Sequence, residues 1–434
     1  MWDYYNDKTI FITGGTGFLG TAIVYRLLTQ TSVRHVYMLC RGGIGKLQSK
    51  WTQSLSSATV EKLLGTNRIT VMDGDILSPD LGISQKDLSI LRQEVNVIIH
   101  SASSINLAKS LDKLSEVITG ASERVAGLAL TCPGLNRFVY VSTVYSNSYL
   151  PPTGEGIQVK IKEEIYDPNP NDHPDVMKEW AQVQQTGSSD AYEAHDFPWS
   201  YAYAKNLTER LLIHMFAQSG FKDKLLIVRP SVIGPAQNFP VPGYTVPLSS
   251  PTTLLAAMVA LIPGGVVTIA TKAVGQVSQL FIDEVPVDVV VDRLLAHLAM
   301  ATTGCVHAVS GKRAQPQFIK WWDSAVSLRR LPRNIDLNWK DLDWKSKEQH
   351  RLARFYVILG AYFEFYEDKT IALGQNPLVE SCKELQLFNK LNYGEQLQSR
   401  TEDIYFVMNH VAESDERARR VIKQFYRGSM KAKI

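Results

Sequence analysis

Tyr201 and Lys205 stand four residues apart in Tyr201-Ala202-Tyr203-Ala204-Lys205, which on a helix puts a phenol and an ammonium on one face. An ammonium close to a phenol stabilises phenolate, so the phenol becomes a better acid near neutrality. The pair suits proton donation to an oxygen that is gaining charge. Spacing alone means little, because Tyr4 and Lys8 repeat it. Position singles out Tyr201 and Lys205: they follow a fifth strand-like segment and open the helix before a sixth. Thr143, at the end of Val141-Ser142-Thr143, brings a hydroxyl to the C-terminal sheet edge, where ligands bind in open α/β folds. Ser142 is its adjacent rival, and the sequence does not choose between the two.

A second chemistry lies near the N-terminus. Residues 13–20 read TGGTGFLG and contain both G-x-x-G-x-x-G and G-x-G-x-x-G, between a strand and a helix. Missing Cβ atoms let the backbone approach a pyrophosphate, and the helix start offers free N–H groups and a positive dipole end. An NAD site usually ends its second strand in Asp or Glu, which holds the ribose 2′-hydroxyl. Here that strand ends Leu39-Cys40-Arg41-Gly42-Gly43, with no acid. A guanidinium there suits the 2′-phosphate of NADPH, the alternative being an ordinary surface arginine. Asp75, in Gly74-Asp75-Ile76, is placed to accept from the adenine amino group and could equally be a turn or cap residue.

These groups need a sheet to carry them. Thr9–Thr13, His35–Leu39, Arg68–Met72, Asn96–His100, Arg137–Ser142 and Leu225–Arg229 are near-continuous apolar runs separated by helical stretches. Such runs belong to strands buried on both faces of a parallel sheet, hence a doubly wound α/β (Rossmann) domain. From Gln317 the texture changes: Trp321, Trp322, Trp339 and Trp344 are set among charges, and Gln349–Phe365 has a helical pattern. The expected organisation is an NADP-binding Rossmann domain with substrate-binding insertions over 1–310 and a smaller, mostly helical domain over 311–434. The segment Pro168–Pro198 is expected to be a long loop.

The 434 residues are 45% hydrophobic and 21% charged, which fits a globular chain with a large core and excludes disordered and disulfide-stapled classes. A net charge of +3 gives no global pull toward nucleic acid, so an anion site must be local. Cys40, Cys132, Cys305 and Cys382 are scattered, as in a reducing compartment. There is no HExxH or CxxC pattern to suggest a metal. No signal peptide is visible, and Pro263-Gly264-Gly265 interrupts the longest apolar stretch, so a soluble, cytoplasmic protein without a transmembrane segment is expected. The final Ala432-Lys433-Ile434 has the pattern of a peroxisomal address, with a frayed basic helix end as the simpler reading.

The motifs TGGTGFLG (13–20), IIHSAS (98–103), VYVSTVYSN (139–147), YAYAK (201–205), IVRPS (227–231) and VPVDVVVDRL (285–294), in that order, resemble the extended short-chain dehydrogenase/reductases. Within that superfamily the likeness is to the fatty acyl-CoA reductases, the male-sterility-type family. Tyr4-Tyr5-Asn6-Asp7-Lys8 and Asp80-Leu81-Gly82-Ile83-Ser84 echo it again. The resemblance implies a triad of Thr143, Tyr201 and Lys205, a pyrophosphate turn of Gly14, Gly17 and Gly20, and Arg41 as the NADP-selecting arginine. It places Pro230 and Ser231 behind the nicotinamide. Further cofactor contacts are implied for Thr13, Thr16, Phe18, Leu19, Asp75, Ile76, Ser101, Ala102 and Lys205. Two departures touch the ribose contacts: His100-Ser101-Ala102-Ser103 stands for the family's His-Cys-Ala-Ala, and Ile118 or Thr119 stands near its usual Asn.

Three functions fit. One is NADPH-dependent reduction of an acyl thioester, on CoA or an acyl carrier, to an aldehyde and on to an alcohol. Another is ketone or aldehyde reduction, or its reverse, on the same fold. The third is a non-catalytic dinucleotide sensor, which would have no need of Tyr201 beside Lys205. The remaining features read as structural. His100 is a packed strand-end histidine, and Asn206-Leu207-Thr208 lies on the catalytic helix rather than a glycosylated loop. Leu254–Leu261 is core or the wall of an acyl channel. The basic residues from Arg417 to Lys433 form a solvated face, or one that meets a phosphate-bearing carrier.

Overall fold

A computed structural model describes residues 1–153, 157–169, 175–389 and 397–426. Its strands are β1 (Thr9–Thr13), β2 (His35–Leu39), β3 (Ile69–Met72), β4 (Val97–His100), β5 (Arg137–Val141), β6 (Gln158–Ile161) and β7 (Leu225–Pro230). They continue with β8 (Val232–Gly234), β9 (Gly265–Ala270), β10 (Glu284–Pro286), β11 (Gly304–Ala308), β12 (Ile335–Lys340) and β13 (Tyr362–Phe365). Seven of these make one sheet in the order β11-β7-β5-β4-β1-β2-β3, and every pairing in it is parallel.

Alternation along each strand feeds two different cores. Ile10, Ile12, Met38, Val97, Ile99 and Val139 face one side, where helices Phe18–Gln30 and Val287–Ala299 cover them. Phe11, Tyr37, Ile98, Phe138 and Tyr140 face the other, under helices Gln85–Glu94, Ala121–Leu130 and Ser200–Gln218. The sheet is doubly wound, as its apolar runs require. Strand order reverses between β1 and β4, where Thr13 lies beside His100, and this opens the crevice that such folds use for ligands.

The edge strand β11 has no counterpart among the expected strands. Cys305, Val306, His307 and Ala308 are buried in it, yet the run is short, starts on a glycine with φ +73° and carries a histidine. The expected loop Pro168–Pro198 contains a helix, Val176–Thr186, capped by Asp175 and anchored by buried Trp180 and Val183. The expected helix Gln349–Phe365 breaks into a short helix, Arg351–Phe355, a turn, Val357–Gly360, and β13. Packing of Gly360 on Ala270, with Thr271 Oγ1 donating to the Gly360 carbonyl at 2.6 Å, fixes that break.

The chain after Gly311 builds onto earlier segments. β12 pairs with β9, β13 pairs with β6, and a third core joins Leu255 and Ile269 to Trp321, Met408 and Ile422. Helix Glu416–Phe425 buries Ala418 and Ile422 against that core. Arg427, Lys431 and the tripeptide Ala432–Ile434 lie outside the described residues. Among the described residues no helix is long and apolar enough to cross a membrane.

Candidate active site

The turn after β1 is built from residues with no room for a side chain. Gly14 has φ +77°, and a Cβ there would lie 2.6 Å from the Ala102 nitrogen. Gly17 donates to the Gly14 carbonyl at 2.9 Å and caps helix Phe18–Gln30 without a side chain, so the first turn's N–H groups have no intrahelical acceptor. Thr13 and Ser101 tie this turn to the loop after β4. Ser101 Oγ donates to the Thr13 carbonyl at 2.8 Å, and Thr13 Oγ1 bonds His100 Nδ1 at 2.7 Å. The other ring nitrogen of His100 meets Ser122 Oγ at 3.0 Å, and burial lowers the imidazole pKa to about 3. His100 is therefore a neutral structural brace.

The crevice beside this turn has a volume of about 280 Å³. Thr13, Gly14, Thr16, Gly17, Arg41, Asp75, Ile76, Ser101 and Ala102 line it, all of them predicted dinucleotide contacts. Arg41 is 73% exposed at its mouth and faces Asp75 at 3.6 Å. Phe18 turns away instead, its ring 5.6 Å from Tyr244, and Leu19 and Gly20 are buried in the helix start. Sequence reasoning passed over Lys50, which also lines the crevice and reaches Thr16 Oγ1 at 3.4 Å. A lysine one helix beyond β2 was the available signal. The acid missing from the end of β2 has a relative in Asp73, whose carboxylate accepts from Gly42 N–H at 2.8 Å and holds the turn that carries Arg41.

The second cluster stands at the C-terminal ends of β5 and β7. Helix Ser200–Gln218 carries Tyr201 and Lys205 past the end of β5. Lys205 is buried and donates to the Val141 carbonyl at 2.8 Å, with its Nζ 4.7 Å from the centre of the Tyr140 ring. Burial lowers its pKa to about 7, against the opposing pull of the Glu209 carboxylate. The Tyr201 phenol is pushed up by burial, while a hydrogen bond with Thr143 draws it back down. In the protein alone, then, desolvation rather than the lysine charge dominates the phenol. Thr143 Oγ1 also donates to the Pro230 carbonyl at 3.3 Å and accepts from the Tyr145 amide.

The neighbouring hydroxyl has another use. Ser142 Oγ donates to Glu209 Oε1 at 2.5 Å, and Ser146 does so at 3.2 Å. Arg229 grips the same carboxylate with two bonds, at 2.9 and 2.5 Å. This buried set fastens the 142–146 loop to the helix of Lys205. Ser231 Oγ is likewise taken, donating to buried Asp283 at 2.5 Å. Where the family's Asn was expected, Glu116–Gly120 forms a π-helical turn. Ile118 is core there, and Thr119 Oγ1 faces the Ala204 carbonyl at 3.4 Å.

A family model described as "Male sterility protein", of the NAD-binding class, matches residues 12–294. The chain belongs to that family. The site is accordingly of the nicotinamide-dinucleotide type. Similar curated proteins include a putative fatty acyl-CoA reductase of Drosophila melanogaster, 32% identical over 57% of this chain and 48% of its own length. Fatty acyl-CoA reductase 1 of Mus musculus is 29% identical over 68% of this chain and 55% of its own. This male sterility family member thus spans about half the length of the curated relatives it matches. Among solved structures, the reductase domain of a nonribosomal peptide synthetase from Mycobacterium tuberculosis shares the fold at a TM-score of 0.62 and 16% identity, over 93% of both chains. The terminal reductase domain of the myxalamid pathway does so at 0.59 and 18%, over 91% of this chain and 90% of its own.

Proposed function

We propose that this protein is an NADPH-dependent reductase of an acyl thioester, carried on CoA or an acyl carrier, that forms the aldehyde and then the primary alcohol. One observation carries the reading: Thr143, just past the end of β5, and Tyr201 and buried Lys205, on the helix that passes it, come together at the sheet edge where the dinucleotide crevice also opens. The names of the curated relatives support the thioester, and Arg41 with Lys50 supports the phosphorylated dinucleotide.

The crevice suits such a cofactor, because Gly14 and Gly17 present bare backbone to its wall at the start of helix Phe18–Gln30. Gly14, Gly17 and the amides of the following helix would hold that group, while Arg41 and Lys50 would meet the 2′-phosphate. When bound, a reduced nicotinamide supplies hydride to the carbonyl carbon. Thr143 and Tyr201 are donors set in advance for the oxygen, and they stabilise the negative charge that gathers there. Lys205 holds a proton close behind Tyr201, and the Glu209–Arg229 pair keeps the 142–146 loop in place. Thiolate is a good leaving group, so the first reduction ends in aldehyde, and Tyr201 protonates the alkoxide of the second.

The test follows thiol release colorimetrically while NADPH absorbance is recorded. Two NADPH consumed per thiol is the expected result, whereas one per thiol would mark an aldehyde producer. NADPH oxidation on ketones, with no thiol freed from any acyl-CoA or carrier-bound acyl group, would replace this reading with a carbonyl reductase.

A further inference from the structure

Glu209 stands one helical turn beyond Lys205, so helix Ser200–Gln218 fixes its backbone relative to both Tyr201 and Lys205. Its buried carboxylate gathers donors from two other parts of the chain. Oε1 accepts from Ser142 Oγ at 2.5 Å, Ser146 Oγ at 3.2 Å and Arg229 Nε at 2.9 Å, and Oε2 accepts from Arg229 Nη2 at 2.5 Å. The two serines bracket Thr143. Ser146 Oγ also lies 2.9 Å from the Thr143 carbonyl, between its two acceptors, so the backbone of Thr143 is held together with the loop around it.

Arg229 anchors the far side. Its Nη1 donates to the Glu164 carbonyl at 2.8 Å, and it precedes Pro230, whose carbonyl accepts from Thr143 Oγ1 at 3.3 Å. A glutamine in place of Glu209 would turn its NH2 against one of these donors, whereas both oxygens of a carboxylate accept. Ser142, Ser146, Glu209 and Arg229 are all absent from the wall of the dinucleotide crevice. We propose, on the thioester reading above, that Glu209 is a positioning residue for the reduction: acting through Ser142 and Ser146, it sets the Thr143 hydroxyl against the Tyr201 phenol and so governs turnover rather than binding. Donors stabilise a developing oxyanion only where they are already placed, and a misplacement of about 1 Å can cost roughly 100-fold in rate.

The experiment compares Glu209→Asp, the pair Ser142→Ala with Ser146→Ala, and all three changes together. Glu209→Asp shortens the reach but keeps a counter-charge for buried Arg229, which Glu209→Gln would strip. Substrates are hexanoyl- and palmitoyl-CoA, hexanal and hexadecanal, and kcat is referred to titrated NADPH-binding sites so that unfolded protein does not count. The aspartate variant and the serine pair should each lower kcat about ten- to hundredfold, with KM and the NADPH dissociation constant within about twofold of wild type. The combined variant should be slower than the worse of the two by no more than about threefold, because one placement is lost only once. Losses that multiply would mean that the serine hydroxyls act on their own, and they overturn the role of Glu209. A kcat within about twofold of wild type overturns it too, as does a rise in KM or in the dissociation constant as large as the fall in kcat. Aldehyde turnover with no thiol freed from either acyl-CoA defeats the thioester reading alone, and the same comparison on the aldehydes then decides the positioning role. Absence of turnover on all four compounds overturns both.

Discussion

Lys205 offers the most direct test of the site's electrostatics. Only 2% of its surface is exposed, and burial takes its pKa from an ordinary 10.5 to about 7. The groups around it are the neutral His100, the rings of Tyr140 and Tyr201, and one carboxylate, Glu209. In the unfolded chain the amine stays protonated to about pH 10. Between the two pKa values, unfolding therefore takes up a proton, and this residue's contribution to stability rises as pH rises through that window. Below pH 7 the folded protein carries the full penalty of a buried ammonium. The slope is at most ~1.4 kcal/mol per pH unit, and the whole window is worth on the order of 3–5 kcal/mol as an upper bound. Lys205→Met keeps the apolar stem and removes the titration. Urea midpoints of both proteins, compared from pH 6 to 9.5, should show the Met variant ahead by most at pH 6, with the gap narrowing as pH rises above 7. A gap that stays constant over that range would refute the buried, depressed lysine.

Tyr201→Phe deletes one hydroxyl, so turnover is expected to fall by roughly 10²–10⁴ while the NADPH dissociation constant, read by fluorescence, stays put. Near-normal turnover would move the proton donor elsewhere. Arg41→Ala should weaken NADPH by about tenfold, the lower end of a charge-assisted pair because the side chain is largely exposed, and leave NADH unchanged. Lys50→Ala should add to that loss, and equal NADPH and NADH effects in both variants would remove the pair from 2′-phosphate selection. Gly14→Ala forces a Cβ against Ala102 at positive φ, so a loss of about 1–3 kcal/mol of stability is expected, with cofactor binding weakened beyond it. A variant as stable as wild type with intact NADPH affinity would show that the turn does not need the glycine.

The legible part of this protein is its local chemistry. β1, the glycine turn and helix Phe18–Gln30 are consecutive in sequence, so apolar run, missing Cβ atoms and helical face are read together. Tyr201 and Lys205 share one helix, and a strand end delivers Thr143 to them. What distinguishes Ser142 from Thr143 was not legible, because Ser142 is tied to Glu209, 67 residues away and itself held by Arg229. β11 was hidden by its shortness and its histidine. Helix Val176–Thr186 was hidden because Gln-rich, polar text obscured the Trp180 and Val183 that anchor it.

The aromatic wall beside Tyr145 was illegible for a deeper reason. Phe363 and Phe365 reach Tyr145 only because β13 pairs with β6, across about two hundred residues that contain the whole of helix Ser200–Gln218. Val159 and Ile161 on β6 and Phe363 and Phe365 on β13 bury the same face, so the pairing is set by long-range packing rather than by any local pattern. Tyr201 and Lys205 are thus set by one helix, whereas the wall beside Tyr145 is built from segments far apart. A substitution at Leu255, Phe281 or Phe363 can therefore reshape the surroundings of Tyr145 without touching Thr143, Tyr201 or Lys205. The motifs of β1, β5 and helix Ser200–Gln218 leave the shape beside them open, and that shape has to be sought in the contacts of β13 and helix Pro251–Leu261.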